Sequence, residues 1–294
     1  HPLEHDPDVA MGPADYRIIC LDRDHVDYVY KYYPNVKKCY FLPLPGVLTA
    51  EKEPEPFEKR EYDLLFTGSF YSLGKLENEI SAYSPMIRKY TLELIEYMLD
   101  HREKTFETGL TELLGAMGEK DLDPLTFRKY ASVTIIAMRY VRSYVKIEAI
   151  RYLMESDIRM HIFGGGWEEY ANEGSGATVL HPPVNYLESV DLCQKARIAL
   201  NVMPLFKDGC HDRIPTAMLN GAAVLTDHSR YLDETMGGEL YFFDISKPWE
   251  ISGIVKAILA DDISIQKRTE KAYSLAREKL SVPAWAKNVK DILD

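Results

Sequence analysis

The stretch DGCHDRIPTAMLNGAAVLTD, residues 208–227, joins a polar loop to a short helix and then to a buried strand. Pro215 fits the first turn of a helix and Gly221 fits the position just after its end, so residues 214–220 are predicted to form a two-turn helix. The apolar run AAVLTD that follows has the length and composition of a buried strand. The polar loop has two interpretations: a solvated loop that ends in a helix cap, or a loop that faces a phosphorylated ligand.

The same alternation of short apolar runs and helical segments continues on both sides of this stretch. Upstream are RMHIFGGG and RIALNVMP, and downstream are YLDETM, LYFFD and WEISGIVKAILA. Short apolar strands joined by helical crossovers are typical of a parallel sheet that is covered on both faces. The sequence therefore predicts an α/β fold with a Rossmann-like parallel sheet, in which ligands would bind at the carboxyl ends of the strands.

Charge and helical periodicity divide the chain further. Residues 48–62 are charged and poor in core residues, so we interpret residues 1–62 as the end of an N-terminal domain plus a linker. The Rossmann-like domain is predicted over 63–282 with a helical insertion over 84–156, followed by a C-terminal helix over 283–294. The inserted helices either pack on the sheet as a bundle or form a platform for an acceptor or partner. The first residue is His and not Met, which indicates a piece of a longer protein.

Composition excludes several classes of function. The 35 Lys and Arg against 46 Asp and Glu give a net charge of −11 without a basic block, so nucleic acid and anionic lipid are not expected partners. The four cysteines form no CxxC pair, which argues against a zinc knuckle or a disulfide scaffold. No apolar run approaches the ~18 residues of a membrane span, so we expect a cytoplasmic protein with reduced thiols and no cofactor of its own.

Unusual residues follow the predicted strands. They are Gly68, Ser69 and Phe70 after one strand, Gly164, Gly165, Gly166 and Trp167 after another, and Asn201 after a third. Glycines there would allow a phosphate to approach the backbone, although FGGGW lacks the dinucleotide fingerprint and is a weak motif alone. Trp167 either stacks on a ligand ring or packs under the loop. Lys75 either reaches a diphosphate or is solvated.

Three neighbours in the opening stretch are the strongest candidates. Arg213 is predicted to bind phosphate oxygens in a bidentate way; alternatively, Asp212 caps the helix and Arg213 pairs with a neighbouring acid. His211 contacts the ligand or is a surface histidine. A metal site is not expected, because no second His stands at ligand spacing and adjacent His and Asp do not face one another on a helix. The chain contains no nucleophile elbow, P-loop or HExxH motif.

Taken in order, several stretches resemble the C-terminal half of nucleotide-sugar glycosyltransferases of the GT-B type. They are the GS turn, FGGGW, HPPVNYLESVDLCQKARIALNVMP, the opening stretch and YLDETMGGELYFFD. The pattern is most similar to the spore-maturation, CgeB-like glycosyltransferases, in which ARIALN precedes HDR, a short helix, NG and a strand. The resemblance covers residues 63–72 and 158–245. Upstream, HPLEH and CLDRDHVDYVYKYYP look like the end of that family's N-terminal half.

The resemblance implies sugar transfer from a nucleotide-sugar donor, UDP-linked or similar, to a protein or cell-surface glycan. The nucleotide would lie under residues 164–167 and the diphosphate at the start of the 214–220 helix. Arg213, Lys75 and the helix N–H groups would stabilise the departing diphosphate without a metal. Two alternatives stay open: a non-catalytic nucleotide- or sugar-binding module, and a helical interaction protein on a Rossmann scaffold.

Together these arguments predict one site. Its catalytic residues are Arg213, Asp208, His211 and Lys75, and its donor contacts are Gly68, Ser69, Gly164, Gly165, Gly166, Trp167, Asn201, Asp212, Ile214 and Thr216. By the resemblance, Asp208 and Thr216 match two glutamates, eight positions apart, that hold the donor sugar and the ribose hydroxyls in related retaining enzymes. Asp208 keeps a carboxylate near the sugar, whereas Thr216 replaces the second carboxylate with one hydroxyl.

Overall fold

The computed structural model describes residues 1–13, 15–48 and 55–293. Part of the predicted 48–62 linker, residues 49–54, lies outside the described residues. The chain divides into two compact units. The first comprises His1–Pro43, Tyr71–Val145 and Pro204–Gly209, and the second Leu44–Phe70, Lys146–Met203 and Cys210–Asp294. The domain boundaries inferred from the sequence stay predictions.

The first unit combines a small βαβ motif with helices. Its helices are α1 (Asp6–Met11), α2 (Arg23–Tyr32), α3 (Leu73–Ser81), α4 (Pro85–Asp100), α5 (Phe106–Ala116), α6 (Pro124–Val133) and the first part of α7 (Ile135–Met154). Strands β1 (Arg17–Cys20) and β2 (Lys38–Phe41) pair in parallel on either side of α2. Asp22 caps α2, because its carboxylate accepts a hydrogen bond from the Asp24 N–H group at 2.8 Å.

Helices α4 to α7 occupy the region that the periodicity predicted to be helical. Leu94 on α4 and Leu110 and Leu114 on α5 are buried, as expected for amphipathic helices that bury one face. Gly109 allows α5 to approach α4, since a Cβ atom at this position would lie 2.3 Å from Met98 Sδ. This helical region therefore has a packed core of its own.

The second unit contains the main sheet. Its strands are β3 (Tyr62–Thr67), β4 (Met160–Phe163), β5 (Val179–His181), β6 (Ala196–Leu200), β7 (Ala223–Asp227) and β8 (Tyr241–Phe243). Within the described residues these six strands form one sheet in the order β5-β4-β3-β6-β7-β8, and every neighbouring pair is parallel. Counted from β3, this is the order 3-2-1-4-5-6 of dinucleotide-binding Rossmann folds.

The central strand of this sheet is buried on both faces. Leu64, Leu65 and Phe66 on β3 are each at most 1% exposed. The accompanying helices are α8 (Tyr186–Gln194), α9 (Arg213–Leu219), α10 (Arg230–Met236), α11 (Ile251–Leu259), α12 (Asp262–Leu275) and α13 (Val282–Leu293), with a π-helical turn at Ala276–Leu280 between the last two. The prediction of a parallel α/β sheet is confirmed. Among the helices described, none is both long and apolar enough to cross a lipid bilayer.

The order of the strands alone indicates where a ligand site would lie in this sheet. From β3 the chain adds β4 and β5 on one side, and then β6, β7 and β8 on the other side. The crossovers diverge between the carboxyl ends of β3 and β6, which leaves a crevice there. In open α/β sheets this switch point is where ligands bind.

Candidate functional site

Two loops meet at the carboxyl ends of β3 and β4. The Gly68 N–H group donates a hydrogen bond to the Phe163 carbonyl at 2.9 Å, and the Gly165 N–H group donates one to Ser69 Oγ at 2.9 Å. Gly164 lies against the other loop so closely that a Cβ atom would be 2.2 Å from the Gly68 carbonyl oxygen. The glycine at position 164 is therefore required for loop packing.

The residues after Gly164 close the loop over an aromatic cluster. Gly166 has φ +97°, a left-handed conformation that favours glycine. Trp167 is fully buried, its indole N–H donates to the Gly68 carbonyl at 2.8 Å, and its ring packs against Phe66 and Phe70 with centroid distances of 5.7 and 4.7 Å. This geometry favours the packing alternative for Trp167, because no face of its ring is exposed to a ligand.

The turn before α9, His211–Arg213, carries charged side chains and is called the charged turn below. His211 Nδ1 lies 2.6 Å from Asp212 Oδ1. The expectation that these neighbours would not face one another is wrong, because they precede the helix and are held in a turn. The Asp212 side chain makes no capping hydrogen bond to α9, so the helix-cap alternative does not describe it.

Electrostatics keep the pair formed by His211 and Asp212 in a defined state. Burial is the main cause that lowers the pKa of His211; the charges of Arg213 and Lys146 lower it further, while Asp212 acts in the opposite direction. Burial alone would raise the pKa of Asp212, but the hydrogen bond and charge of His211, together with the charge and backbone N–H group of Arg213, outweigh it, and the pKa of this carboxyl is lowered. At neutral pH the pair is therefore a neutral imidazole and an ionised carboxylate.

Arg213 faces the β3 loop. A Cβ atom placed on Gly68 would lie 3.5 Å from Arg213 Nη2, so the guanidinium reaches that loop. Across the described ranges 1–13, 15–48 and 55–293, the guanidinium forms no salt bridge within 4.0 Å. Burial lowers the pKa of Arg213, and the Asp212 carboxylate acts in the opposite direction. The guanidinium is thus a partly buried cation without the carboxylate partner that such a group normally has.

An open cavity of about 250 Å³ lies between these loops. It is lined by Thr67, Gly68, Ser69, Phe163, Gly164, Pro183, Val184, Asn185, Tyr186, Ser189, His211, Asp212 and Arg213. The structure thus brings six of the predicted site residues to one cavity, which opens at the carboxyl end of β3. We call this space the Arg213 cavity.

A second, small cavity of about 30 Å³ shares Thr67, Tyr186, Ser189 and Arg213 with the first and extends to Asn201. Asn201 is 2% exposed and donates Nδ2–H to Thr226 Oγ1 at 3.0 Å. Among the described residues its Oδ1 atom has no hydrogen-bond partner. A buried acceptor of this kind is costly unless a ligand or water satisfies it, and the role of Asn201 in donor binding stays a prediction.

The start of α9 offers fewer groups than the sequence suggested. The helix begins at Arg213 and has seven residues; the predicted stop is confirmed, because Gly221 has φ +72° just after it. The Ile214 N–H group donates to the His211 carbonyl at 3.0 Å, and Pro215 has no N–H. Thr216 Oγ1 accepts from the Val47 N–H group at 3.2 Å. The sequence predicted that N–H groups at the start of this helix would bind the diphosphate. The structure corrects this for Ile214, because its N–H group is already used in a hydrogen bond within the turn.

Two predicted catalytic residues belong to the first unit, whereas the Arg213 cavity belongs to the second. The Asp208 N–H group donates to Asp22 Oδ2 at 3.0 Å, and Asp208 Oδ1 accepts from Arg23 Nη1 at 3.3 Å. Lys75 lies on the exposed side of α3. The catalytic roles of Asp208 and Lys75 stay predictions.

Sequence reasoning missed two residues near the cavity. Lys146, in the part of α7 that belongs to the second unit, donates from Nζ to the Ser69 carbonyl at 2.9 Å. No local pattern marks this lysine, since it lies in a regular helix. Tyr186 lines both cavities and is 47% exposed. The capping box of Asn185 and Glu188, which starts α8 next to Tyr186, is the signal that could have located it.

The sheet order 3-2-1-4-5-6, with a cavity at its switch point, defines a Rossmann-like fold. A model of the glycosyl transferase-like family matches residues 144–291, which is half of the chain. The chain therefore belongs to the glycosyl transferase-like family. No curated protein matches it.

Solved structures agree at the level of the fold. The chain is similar to TarM, with a TM-score of 0.54 and 8% identity over 99% of its length. It is also similar to a mutant of S. aureus TarM in complex with fondaparinux, alpha-GlcNAc-glycerol and UDP, with a TM-score of 0.53 and 8% identity over 99% of its length. The chain spans 45% and 46% of those two chains. At such identities the similarity shows a shared fold.

Proposed function

We propose that this glycosyltransferase-family chain transfers a sugar from a nucleoside-diphosphate sugar to a hydroxyl group of a protein or glycan. The Arg213 cavity would hold the diphosphate of the donor. The observation that carries this proposal is the Arg213 guanidinium, which lies at the switch point of the sheet without a carboxylate partner. A partly buried cation in that state is unfavourable, and an anionic ligand removes the cost.

The chemistry that follows is electrostatic. In sugar transfer the bond between the anomeric carbon and the β-phosphate oxygen breaks, and its electron pair remains on the departing diphosphate. The acceptor oxygen bonds to the anomeric carbon and releases its proton. A guanidinium can bind two phosphate oxygens at once, so Arg213 would stabilise the charge that develops on the leaving group. In this proposal the protein supplies the compensating charge and no metal is required.

Two finer parts of the proposal, the group within the family and the nucleotide, have separate support. The sequence HDR, followed by a short helix, NG and a strand, supports membership of the CgeB-like group. The UDP in the TarM complex supports UDP as the first nucleotide to test. The chain spans less than half of that protein, so the activity of a whole enzyme is part of the proposal.

The test compares Arg213→Gln with the unsubstituted chain in UDP binding, by calorimetry, and in sugar release from UDP-sugars. The substitution removes the charge and replaces the two-armed guanidinium with a single, shorter amide, so we expect affinity or turnover to fall roughly hundredfold, or about 3 kcal/mol. The variant should remain folded and at least as stable, because it removes a cation that has no partner. Turnover should be unchanged by EDTA.

Arg88→Gln is the matched control, since it removes the same charge from an exposed position on α4. It should leave UDP binding unchanged. Equal affinity for UDP in a folded Arg213→Gln variant would refute the proposal. Tight UDP binding without any sugar release would instead support the binding-module alternative.

A further inference from the structure

The two strands of the first unit carry a pair of neighbouring thiols. Cys20 is the last residue of β1 and Cys39 lies in β2. The register pairs Cys20 with Phe41 and Ile18 with Cys39, so the two cysteines are diagonal neighbours on one face of the strand pair. Their sulfur atoms are 3.7 Å apart, and both residues are buried. A disulfide bond is about 2.05 Å long, so the two sulfurs would have to approach by less than about 2 Å.

The hydrogen bond between the two sulfurs makes the thiols unequal. The pKa of Cys20 is raised, first because its S–H group is held in the hydrogen bond with Cys39 and second because the thiol is buried. The pKa of Cys39 is lowered, because the S–H group of Cys20 stabilises its thiolate more than burial disfavours it. The thiolate is the form of cysteine that reacts with oxidants. This difference suits Cys39 to react first and Cys20 to complete a disulfide.

The residues that follow β1 hold the segment that leads into the charged turn. Asp22 and Gly209 form an antiparallel bridge, and the Arg23 N–H group donates to the Asp208 carbonyl at 3.0 Å. Gly209 packs so closely that a Cβ atom would lie 2.3 Å from the Leu21 carbonyl oxygen. All of these residues belong to the first unit. The segment that enters the charged turn, which begins two positions after Gly209, is therefore held by the end of β1.

On the basis of the proposed function, we propose that Cys20 and Cys39 form a reversible disulfide, by which a peroxide weakens donor binding in the Arg213 cavity. In the first step the Cys39 thiolate attacks one oxygen of hydrogen peroxide, and the other leaves as hydroxide, which takes up the proton that Cys39 released. In the second step the Cys20 sulfur attacks the Cys39 sulfenic acid, and the sulfenic oxygen leaves as water with the proton of Cys20. The two thiols lose two electrons, and the peroxide is reduced to two water molecules. A thiol reductant reverses the reaction.

The disulfide acts on donor binding through the end of β1. In the reduced chain the Cys20 carbonyl accepts a hydrogen bond from the Leu42 N–H group at 3.0 Å, and the next three residues hold Asp208 and Gly209. Closing the S–S bond draws Cys20 toward Cys39 and strains these contacts, from which the chain runs directly into the charged turn. The turn that the proposed function assigns to the diphosphate is then held less firmly.

The first measurement locates the disulfide by peptide mapping with mass spectrometry, after hydrogen peroxide and again after dithiothreitol. The link between Cys20 and Cys39 should form with the oxidant and disappear with the reductant. Cys193 and Cys210 are buried thiols of the second unit and should stay reduced, so they serve as internal controls. Amide hydrogen exchange over residues 204–213 should be faster in the oxidised chain, which reports the change at the turn without any ligand.

The second measurement compares UDP binding by the reduced and the oxidised protein in calorimetry. Oxidation should weaken UDP binding about fivefold in the unsubstituted chain, which is the lower end of typical coupling between sites. Oxidation should have no effect on UDP binding in Cys20→Ala or in Cys39→Ala, each of which keeps a small apolar side chain but lacks one sulfur. Should one variant not fold, the other variant and the unsubstituted chain still decide.

The outcomes separate this inference from the proposed function. If the reduced chain binds no UDP, the proposed function fails, while peptide mapping and hydrogen exchange still test the disulfide. If the reduced chain binds UDP but the Cys20–Cys39 link does not form, only this inference fails. The same holds if the link forms and changes neither hydrogen exchange nor UDP affinity, or if oxidation weakens UDP binding equally in the two alanine variants.

Discussion

The glycine loop, residues 164–167, and the charged turn, residues 211–213, border the same cavity but use their residues differently. In the glycine loop, Gly164 packs against the Gly68 carbonyl, and the Trp167 indole is buried and hydrogen-bonded. In the charged turn, Arg213 is a cation without a carboxylate partner among the described residues. The first loop therefore contributes stability and shape, whereas the second keeps a charge that only an anion would compensate.

The largest expected effect tests the packing role of the glycine loop. Gly164→Ala puts a methyl group 2.2 Å from the Gly68 carbonyl oxygen, a backbone atom that cannot rotate away. We expect the free energy of unfolding to fall by about 3 kcal/mol in urea titrations.

Gly165→Ala is the matched control in the same loop. The nearest atom to its added methyl group is Ser69 Oγ at 3.9 Å, which is ordinary contact. This variant should stay within about 0.5 kcal/mol of the unsubstituted chain. If the two variants were equally stable, the glycine loop would not depend on the close packing of Gly164 against the Gly68 carbonyl. The glycine loop would then not differ from the charged turn in contributing stability.

A smaller effect is expected for Trp167→Phe. The substitution keeps an aromatic ring but removes the indole N–H group that donates to the Gly68 carbonyl. Loss of one buried hydrogen bond should lower the free energy of unfolding by about 1–2 kcal/mol, while UDP affinity of the folded protein changes less than about threefold.

Trp249→Phe controls for the change of residue type, because Trp249 is 55% exposed and should tolerate it within about 0.5 kcal/mol. One outcome for Trp167→Phe would favour the alternative in which the Trp167 ring stacks on the ligand. If Trp167→Phe left stability intact but weakened UDP binding about tenfold, its ring would be a platform for the base.

The difference between the two loops also explains what the sequence could predict. The parallel sheet was predictable, because strand length and helical crossovers are local patterns, and β3 to β8 all lie in one parallel sheet. The end of α9 was predictable for the same reason, since Gly221 adopts the left-handed conformation that stops a helix.

The remaining features depend on contacts between distant residues. Lys146 meets Ser69 across 77 positions, and nothing in the helix around Lys146 distinguishes it from a solvated lysine. Trp167 is buried by Phe66, about a hundred positions earlier, so local sequence left its stacking and packing alternatives open. His211 and Asp212 face one another because they stand in a turn, where the side-chain directions of a helix do not apply.

The smallest expected effect measures how the charged turn influences stability as the pH falls. Burial and the charges of Arg213 and Lys146 lower the pKa of His211, so the folded chain binds fewer protons than the unfolded chain below pH 6.5. The free energy of unfolding must then decrease as the pH falls from 6.5 toward the lowered pKa, and this loss is absent above pH 6.5. A single group changes the slope by at most one proton, so the contribution of His211 between pH 6.5 and 5.5 is below about 1 kcal/mol.

Because the pKa values of His25, His161 and His181 are also lowered by burial, the total slope does not isolate His211. The measurement is therefore the difference between His211→Gln and the unsubstituted chain, each compared with its own stability at pH 7.5. The variant should lose less stability on acidification, because it lacks the imidazole that takes up a proton more readily in the unfolded chain than in the folded chain. A diphosphate ligand supplies a negative charge to the same turn, so saturating UDP should reduce this difference. An identical pH slope for the two proteins would show that the charged turn does not oppose protonation of His211.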